Sequence, residues 1–213
     1  MCKKSIYLIS FVLVLSIAGN ASADLVAYWT LDEGAGDTVY DISGNDNNGT
    51  INGATRGVGK YGTALQFNGQ DNYVEIPSSD SLEINENVTI DAWINWIDAG
   101  DTWICILANG QQNGPWENYG LFINRSSRFV YFTLSLDDEH VPQQTPNDVT
   151  APNEWVHLCA TWDGSTARIY VNGEMELEIA QAGTLTSPGL PLRIGHRNAS
   201  SHYFNGTIDE VRI

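Results

Sequence analysis

Positive charge is scarce in this sequence: 10 Lys and Arg stand against 26 Asp and Glu, a net charge of −16 over 213 residues. Nucleic acid and anionic membrane surfaces would repel such a chain, so neither is expected as a partner. Helical periodicity is nearly absent, which argues against helical architecture. No internal repeat, low-complexity linker or long charge block divides the sequence, and a single domain is expected. There is no Ser/His/Asp grouping, phosphate-binding loop, HExxH or CxxC pattern, and the chemistries those motifs support go with them. Beyond the N-terminus, no stretch is long and apolar enough to cross a membrane.

The N-terminus itself has a recognisable layout. Lys3 and Lys4 form a short positive region, Ile6 to Ala18 is apolar except for Ser10 and Ser16, and Ala21-Ser22-Ala23 offers small residues. This is the pattern of a cleaved secretory signal, with an apolar core too short for a spanning helix. Cys2 precedes the apolar stretch and so is not the lipid-bearing Cys of a lipoprotein signal. Residues 1–23 are therefore expected to be removed, leaving a secreted or cell-surface domain over 24–213. Its length of about 190 residues is ordinary for one β-sandwich. Losing Lys3 and Lys4 takes the net charge from −16 to −18.

Only Cys105 and Cys159 then remain. In an oxidising compartment they are the candidate disulfide. An unstrained bridge would close a loop of about 54 residues and stabilise by roughly 2–4 kcal/mol. The alternative is two small buried thiols that never meet.

Short runs rich in β-branched and aromatic residues recur between Gly, Asn, Asp and Pro. They predict strands at Val26–Thr30, Ala64–Phe67, Tyr73–Ile76, Val88–Ile97, Trp103–Leu107, Tyr119–Ile123, Phe129–Leu136, Trp155–Trp162, Ala167–Val171, Glu174–Ala180, Leu192–Ile194 and Gly206–Arg212. So many short strands indicate an all-β sandwich or barrel. Asn172-Gly173 between two strands is the two-residue hairpin signal. The stretch Asp41–Gly53 is too polar for a core and reads as a structured loop. Alternation places Val88, Ile90, Ala92, Ile94 and Trp96 on one face, and Val156, Leu158, Ala160 and Trp162 on another; both sets are expected in the core. Trp155, His157, Cys159 and Thr161 take the opposite face of their strand, where they are candidates to line a partly covered surface.

These segments resemble the laminin G-like jelly rolls of the concanavalin A-like lectin/glucanase superfamily. The resemblance rests on Val26-Ala-Tyr-Trp-Thr-Leu-Asp-Glu33, Asp41-Ile-Ser-Gly-Asn45 through Gly49, Gly62-Thr-Ala-Leu-Gln-Phe-Asn-Gly69 with Tyr73-Val-Glu-Ile76, and Val88-Thr-Ile-Asp-Ala-Trp-Ile94. It continues with Trp155-Val-His-Leu-Cys-Ala-Thr-Trp-Asp-Gly164, Ile169-Tyr-Val-Asn-Gly173 and Gly206-Thr-Ile-Asp-Glu-Val-Arg-Ile213. Trp155–Gly173 also resembles the pentraxins. The resemblance implies a two-sheet antiparallel jelly-roll sandwich that binds glycans or extracellular proteins, often as one module of a larger protein. The chain ends at Ile213 inside the family's final strand, so truncation at the C-terminus is expected. Fold alone does not fix function.

Three chemistries need weighing. Some enzymes of the superfamily place catalytic carboxylates at alternate positions of one strand, and Glu174, Glu176 and Glu178 have that spacing. They follow directly after a turn, and the middle residue is Glu where the enzymes use Asp, so a solvated acidic face is the better reading. Asp137-Asp138-Glu139-His140, shortly before Pro142 and Pro146, reads as an acidic loop. Calcium, as a structural ion, needs converging hard oxygens. Asp41, Asp71 and Asp209 are the candidates, against the alternative that Asp and Asn simply build turns. The pentraxin type of site is disfavoured by Gly195-His196-Arg197-Asn198, where Arg opposes a cation.

Sugar recognition combines aromatic platforms with a few polar groups. Trp116, Tyr119 and Arg125 form one candidate ligand-binding set, and His196, Arg197, Asn198 and Tyr203, with His202, form another. Each of these aromatics has packing as its alternative role. Asn48, Asn87, Asn124, Asn198 and Asn205 fit the glycosylation acceptor pattern. The sequence thus points to a secreted, non-catalytic module for a glycan or an extracellular protein. The competing reading is a glycoside hydrolase or lyase of the same fold.

Overall fold

The computed structural model describes residues 24–110, 117–187, 189–197 and 201–213. Residues 1–23, where a signal segment is expected, lie outside them, as do Trp116 and Asn198. The described residues form two antiparallel eight-stranded sheets and no helix. The first sheet contains β1 (Tyr28–Trp29), β4 (Thr55–Val58), β5 (Thr63–Asn68), β7 (Val88–Trp96), β12 (Val156–Trp162), β13 (Thr166–Val171), β14 (Glu174–Ala180) and β16 (Asn205–Arg212). Its order is β14-β13-β12-β7-β16-β5-β4, with β1 also paired to β16. The second contains β2 (Thr38–Val39), β3 (Gly49–Asn52), β6 (Tyr73–Ile76), β8 (Trp103–Asn109), β9 (Tyr119–Asn124), β10 (Val130–Leu136), β11 (Glu139–Gln144) and β15 (Leu192–Ile194), in the order β11-β10-β9-β8-β15-β6-β3-β2. This is the expected jelly-roll sandwich.

Alternation decides which side chains fill it. Val88, Ile90, Ala92, Ile94 and Trp96 of β7 meet Val156, Leu158, Ala160 and Trp162 of β12 in one core with Ile104, Ile106, Leu121, Phe132 and Leu134 of the second sheet. Each fully buried Ile or Leu contributes about 1.5–3 kcal/mol of transfer free energy. The indoles of Trp29 and Trp162 donate to the carbonyls of Asn47 and Gln181, both at 2.7 Å, which offsets burying their N–H groups.

Turn chemistry follows the sequence. Asn172 and Gly173 have φ of 50° and 84° and join β13 to β14. Asp137 and Asp138, at 52° and 67°, join β10 to β11 in the same way. Only the first half of the acidic run Asp137–His140 is therefore a turn; the second half opens an edge strand. Pro142 is tolerated there because an edge strand spares half its ladder bonds. The expected loop Asp41–Gly53 is also shorter than its composition suggests, since Gly49–Asn52 pairs with β2 and β6.

The disulfide expectation is corrected. Cys105 and Cys159 are both free, and the fold separates them. Cys105 lies on β8 of the second sheet, in a small cluster with Ala108 and Phe122 apart from the main core. Cys159 lies on β12 of the first sheet, on the strand face opposite core-facing Leu158 and Ala160. Both side chains point away from the space between the sheets, in opposite directions.

Candidate functional site

The outer face of the second sheet carries an aromatic cleft. Cross-strand register assembles it: Phe122 of β9 is opposite both Cys105 of β8 and Tyr131 of β10, and Thr133 of β10 is opposite both Gly120 of β9 and Pro142 of β11. Trp103 stands at the start of β8, and His140 two residues before Pro142. Arg197 follows β15 and His202 precedes β16. These eight residues, Trp103, Phe122, Tyr131, Thr133, His140, Pro142, Arg197 and His202, line a cavity of about 310 Å³. Trp103 and Tyr131 meet edge to face, with ring centroids 4.7 Å apart and planes at 76°. Phe122 supplies the floor, its ring 5.4 Å from the Arg197 guanidinium carbon.

Arg197 is fixed from below. Its Nη2 donates to both carboxylate oxygens of Glu117, at 2.9 and 2.6 Å, and its Nε donates to Oε2 at 3.1 Å. Glu117 is wholly inaccessible to solvent, so the pair is a bidentate, charge-assisted contact in a dry setting. His140 Nδ1 is 3.8 Å from Glu117 Oε1. Burial lowers the pKa of His140, Arg197 adds to that effect, and Glu117 opposes it. Burial and Arg197 also lower the pKa of His202. At neutral pH both rings are therefore uncharged, each with one donor and one acceptor nitrogen. Cys105 packs beside Phe122 as its cross-strand neighbour, its thiol pKa raised by burial.

Of the ligand-binding residues expected from sequence, Arg197 and His202 line this cleft. Tyr119 belongs to the core: it is fully buried and its hydroxyl donates to the Leu82 carbonyl at 3.2 Å. Arg125 braces the loop before β8, donating to the Asp101 carbonyl and to the Asp98 carboxylate. His196 is buried and stacks on Tyr203 at 3.9 Å with parallel rings. Trp103, Phe122, Tyr131 and Thr133 carry no site signal in the sequence because each sits inside a predicted strand. His140 and Pro142 carry none because their strand has the composition of a loop.

The aspartates do not converge. Asp41 Oδ1 accepts from the N–H groups of Tyr28 and Ser43, and Oδ2 accepts from Asn47 N and Ser43 Oγ. Burial alone would raise its pKa, but these donors outweigh it and hold the carboxyl below its ordinary value. Oxygens so engaged are turned toward donors, not toward a cation. Asp71 binds the side-chain amides of Asn68 and Asn72. Asp209 accepts from Tyr61 N. Among the described residues no three His, Cys, Asp or Glu side chains group to hold a metal ion, and Asp41, Asp71 and Asp209 each serve a separate set of protein donors.

The carboxylate series on β14 is also rearranged. A bulge falls between Ile169 and Tyr170, leaving Glu176 without an opposite residue. Glu174 is then opposite core-facing Val171, while Glu178 is opposite Arg168 and bonds it at 2.8 Å on the solvent side. Glu174 and Glu176 border a separate open hollow with Asn147, Asp148 and Asn172. The bulge thus breaks the alternation that would have put the three carboxylates on one face.

A sequence profile described as the concanavalin A-like lectin/glucanases superfamily, of laminin G type, matches residues 68–213. The chain belongs to this superfamily. Among solved structures, this laminin G-type chain is similar to domain 4 of AbnA, a GH43 extracellular arabinanase from Geobacillus stearothermophilus, in complex with arabinotriose. The TM-score is 0.66 at 17% identity, covering 89% of this chain and 91% of that one. It is also similar to the binding domain of Paraclostridial Mosquitocidal Protein 1 (TM-score 0.69, 15% identity, 89% and 48% covered). A third is the binding domain of botulinum neurotoxin serotype D (TM-score 0.66, 13% identity, 89% and 47% covered). The chain spans about half the length of these two toxin domains. Among curated proteins, none matches it in sequence.

Proposed function

We propose that this protein is a secreted, non-catalytic module that binds a neutral glycan in the cleft on the outer face of the second sheet. The observation that carries the reading is the cleft's make-up: Trp103, Tyr131 and Phe122 offer apolar ring surface beside Thr133, His140, Arg197 and His202. A sugar ring has apolar C–H faces and a rim of hydroxyls, and such a site matches both. The uncharged imidazole of His202 keeps its Nε2 for a hydroxyl, and Thr133 Oγ1, which donates to the Gly120 carbonyl, can still accept from one. The Glu117–Arg197 contact holds the floor in place before any ligand arrives, which lowers the ordering cost of binding. The arabinotriose complex of the arabinanase domain supports a glycan ligand. The layout of the N-terminal residues supports secretion.

The non-catalytic reading has its own support. Glycoside hydrolysis usually employs two carboxyl groups flanking the scissile bond. Glu117 is inaccessible and bound by Arg197. Glu174 and Glu178 lie on opposite faces of their strand.

The test is calorimetric titration with arabinan, xylan, mannan and mixed-linkage β-glucan, alongside a reducing-sugar assay. Binding of one neutral polymer, lost in Trp103→Ala, with no reducing ends released, is the expected result. Turnover of any polymer, binding that Trp103→Ala leaves intact, or no binding at all would overturn it.

A further inference from the structure

A second hollow adjoins the cleft. Its volume is about 190 Å³, and Asp101, Thr102, Trp103, Ser201 and His202 line it. Trp103 and His202 line both hollows and stand as the saddle between them. The smaller one has room for several waters, a space that one ring with its hydroxyls can take over.

Asp101 is built into this hollow in an unusual way. Its Oδ2 accepts from the backbone N–H of His202 at 2.6 Å and of Tyr203 at 3.3 Å. Its own carbonyl accepts from Arg125 Nε at 3.1 Å. Oδ1 accepts no hydrogen bond from the described residues, though the side chain is half-buried and faces the hollow. One oxygen therefore ties the loop before β8 to the loop before β16, and the other is held ready at a fixed place. Ser201 Oγ is 2.8 Å from His202 Nδ1, which orients that ring on the saddle.

We infer that the cleft is the first of two adjoining sugar subsites, that Asp101 accepts hydroxyl protons from the unit in the second, and that the ligand is a neutral oligosaccharide of at least two units. This rests on the glycan reading of the first hollow and adds length and charge to it. A carboxylate oxygen forms short, strong hydrogen bonds with hydroxyl donors. The same oxygen repels a uronate or a sulfate, and the chain's net charge of −16 adds to that repulsion. Acidic polysaccharides are thereby selected against where Asp101 stands.

The experiment is titration with arabinose, xylose and glucose, with their linear di- and trisaccharides, and with di- and trigalacturonate. Affinity for one neutral series should rise about tenfold or more from one unit to two, because a hydrogen bond to a charged group is gained. Galacturonides should bind at least about tenfold more weakly than the neutral chain of equal length. Asp101→Asn keeps an acceptor for His202 and Tyr203 but turns the other oxygen into a donor, and the ratio of disaccharide to monosaccharide affinity should fall to near one. Ser201→Trp fills the hollow and keeps Asp101 in the chain, and should flatten the same ratio if Asp101→Asn fails to fold. A length dependence unchanged in both variants, equal affinity for one unit and two, or a preference for galacturonides overturns the second subsite while the first stands. Absence of binding to every neutral sugar overturns the glycan reading and this inference with it.

Discussion

Arg197 Nη2 lies 2.6 Å from Glu117 Oε2, and the two residues are 8% and 0% exposed. A charge pair this deeply withdrawn from water gains little net stability from existing, but removing one member strands the other. Glu117→Gln should therefore destabilise the fold by about 3–5 kcal/mol. Urea unfolding monitored by tryptophan fluorescence measures it as a lower midpoint with little change in slope. A shift under about 0.5 kcal/mol, the usual range for surface changes, would mean Arg197 is not committed to Glu117.

Gly120 and Phe122 offer a way to close the cleft without removing any lining group. A Cβ on Gly120 would lie 2.6 Å from the Phe122 ring and 2.9 Å from Thr133 Oγ1. Gly120→Ala must push one of them outward, and overpacking of this kind typically costs about 1–3 kcal/mol. The displaced ring fills the cleft, so glycan affinity should drop while the melt remains a single cooperative transition. Calorimetric titration beside a thermal melt checks both.

Asp209 sets a pH dependence. Burial pushes its pKa up to about 6; the nearby Glu210 charge adds to the shift, and the N–H of Tyr61 opposes it. The unfolded value is about 3.9, so between about pH 4 and 6 the native state binds more protons than the unfolded chain. Stability from this group therefore rises as pH falls through that window, and the cost of the buried charge is full above about pH 7. Asp209→Asn should be more stable than the parent by on the order of 2 kcal/mol at pH 8, with the gap closing near pH 4. Melting curves of both proteins across pH 4–8 give the comparison.

The two thiols should behave independently. Cys105 is fully buried, while Cys159 is partly exposed with its pKa raised to about 11 by burial and by Asp91. Both should titrate with a thiol reagent after denaturation without reductant, only slowly before it, and the melting temperature should be the same with and without dithiothreitol. A midpoint lowered by reductant would reveal a disulfide.

The sheets were readable because burial imposes a period of two. Val88–Ile97 and Trp155–Trp162 alternate cleanly, and both became central strands facing the core. Asn172-Gly173 announced its hairpin for the same local reason. β11 was hidden: its residues are polar, it contains Pro142, and edge strands obey neither rule strictly. The cleft was hidden for a different cause. Trp103, Phe122 and Tyr131 are far apart in the chain and become neighbours only through the register of β8, β9 and β10, and a bulge between Cys105 and Leu107 shifts that register. A second bulge dispersed Glu174, Glu176 and Glu178. Local pattern fixes which residues point inward, whereas sites on outer faces depend on pairings between distant strands.

The proposed neutral sugar would rest against Trp103. The direct measurement is a two-dimensional nitrogen–proton spectrum recorded while arabinotriose, xylotriose and cellotriose are added in turn. With one of them, the Trp103 indole and the backbone amides around Phe122, Thr133 and His140 should shift together and saturate, while the indole of Trp93, on the other sheet, stays in place. Shifts gathered at Trp93 or Glu174 instead, or none with any of the three, would contradict it.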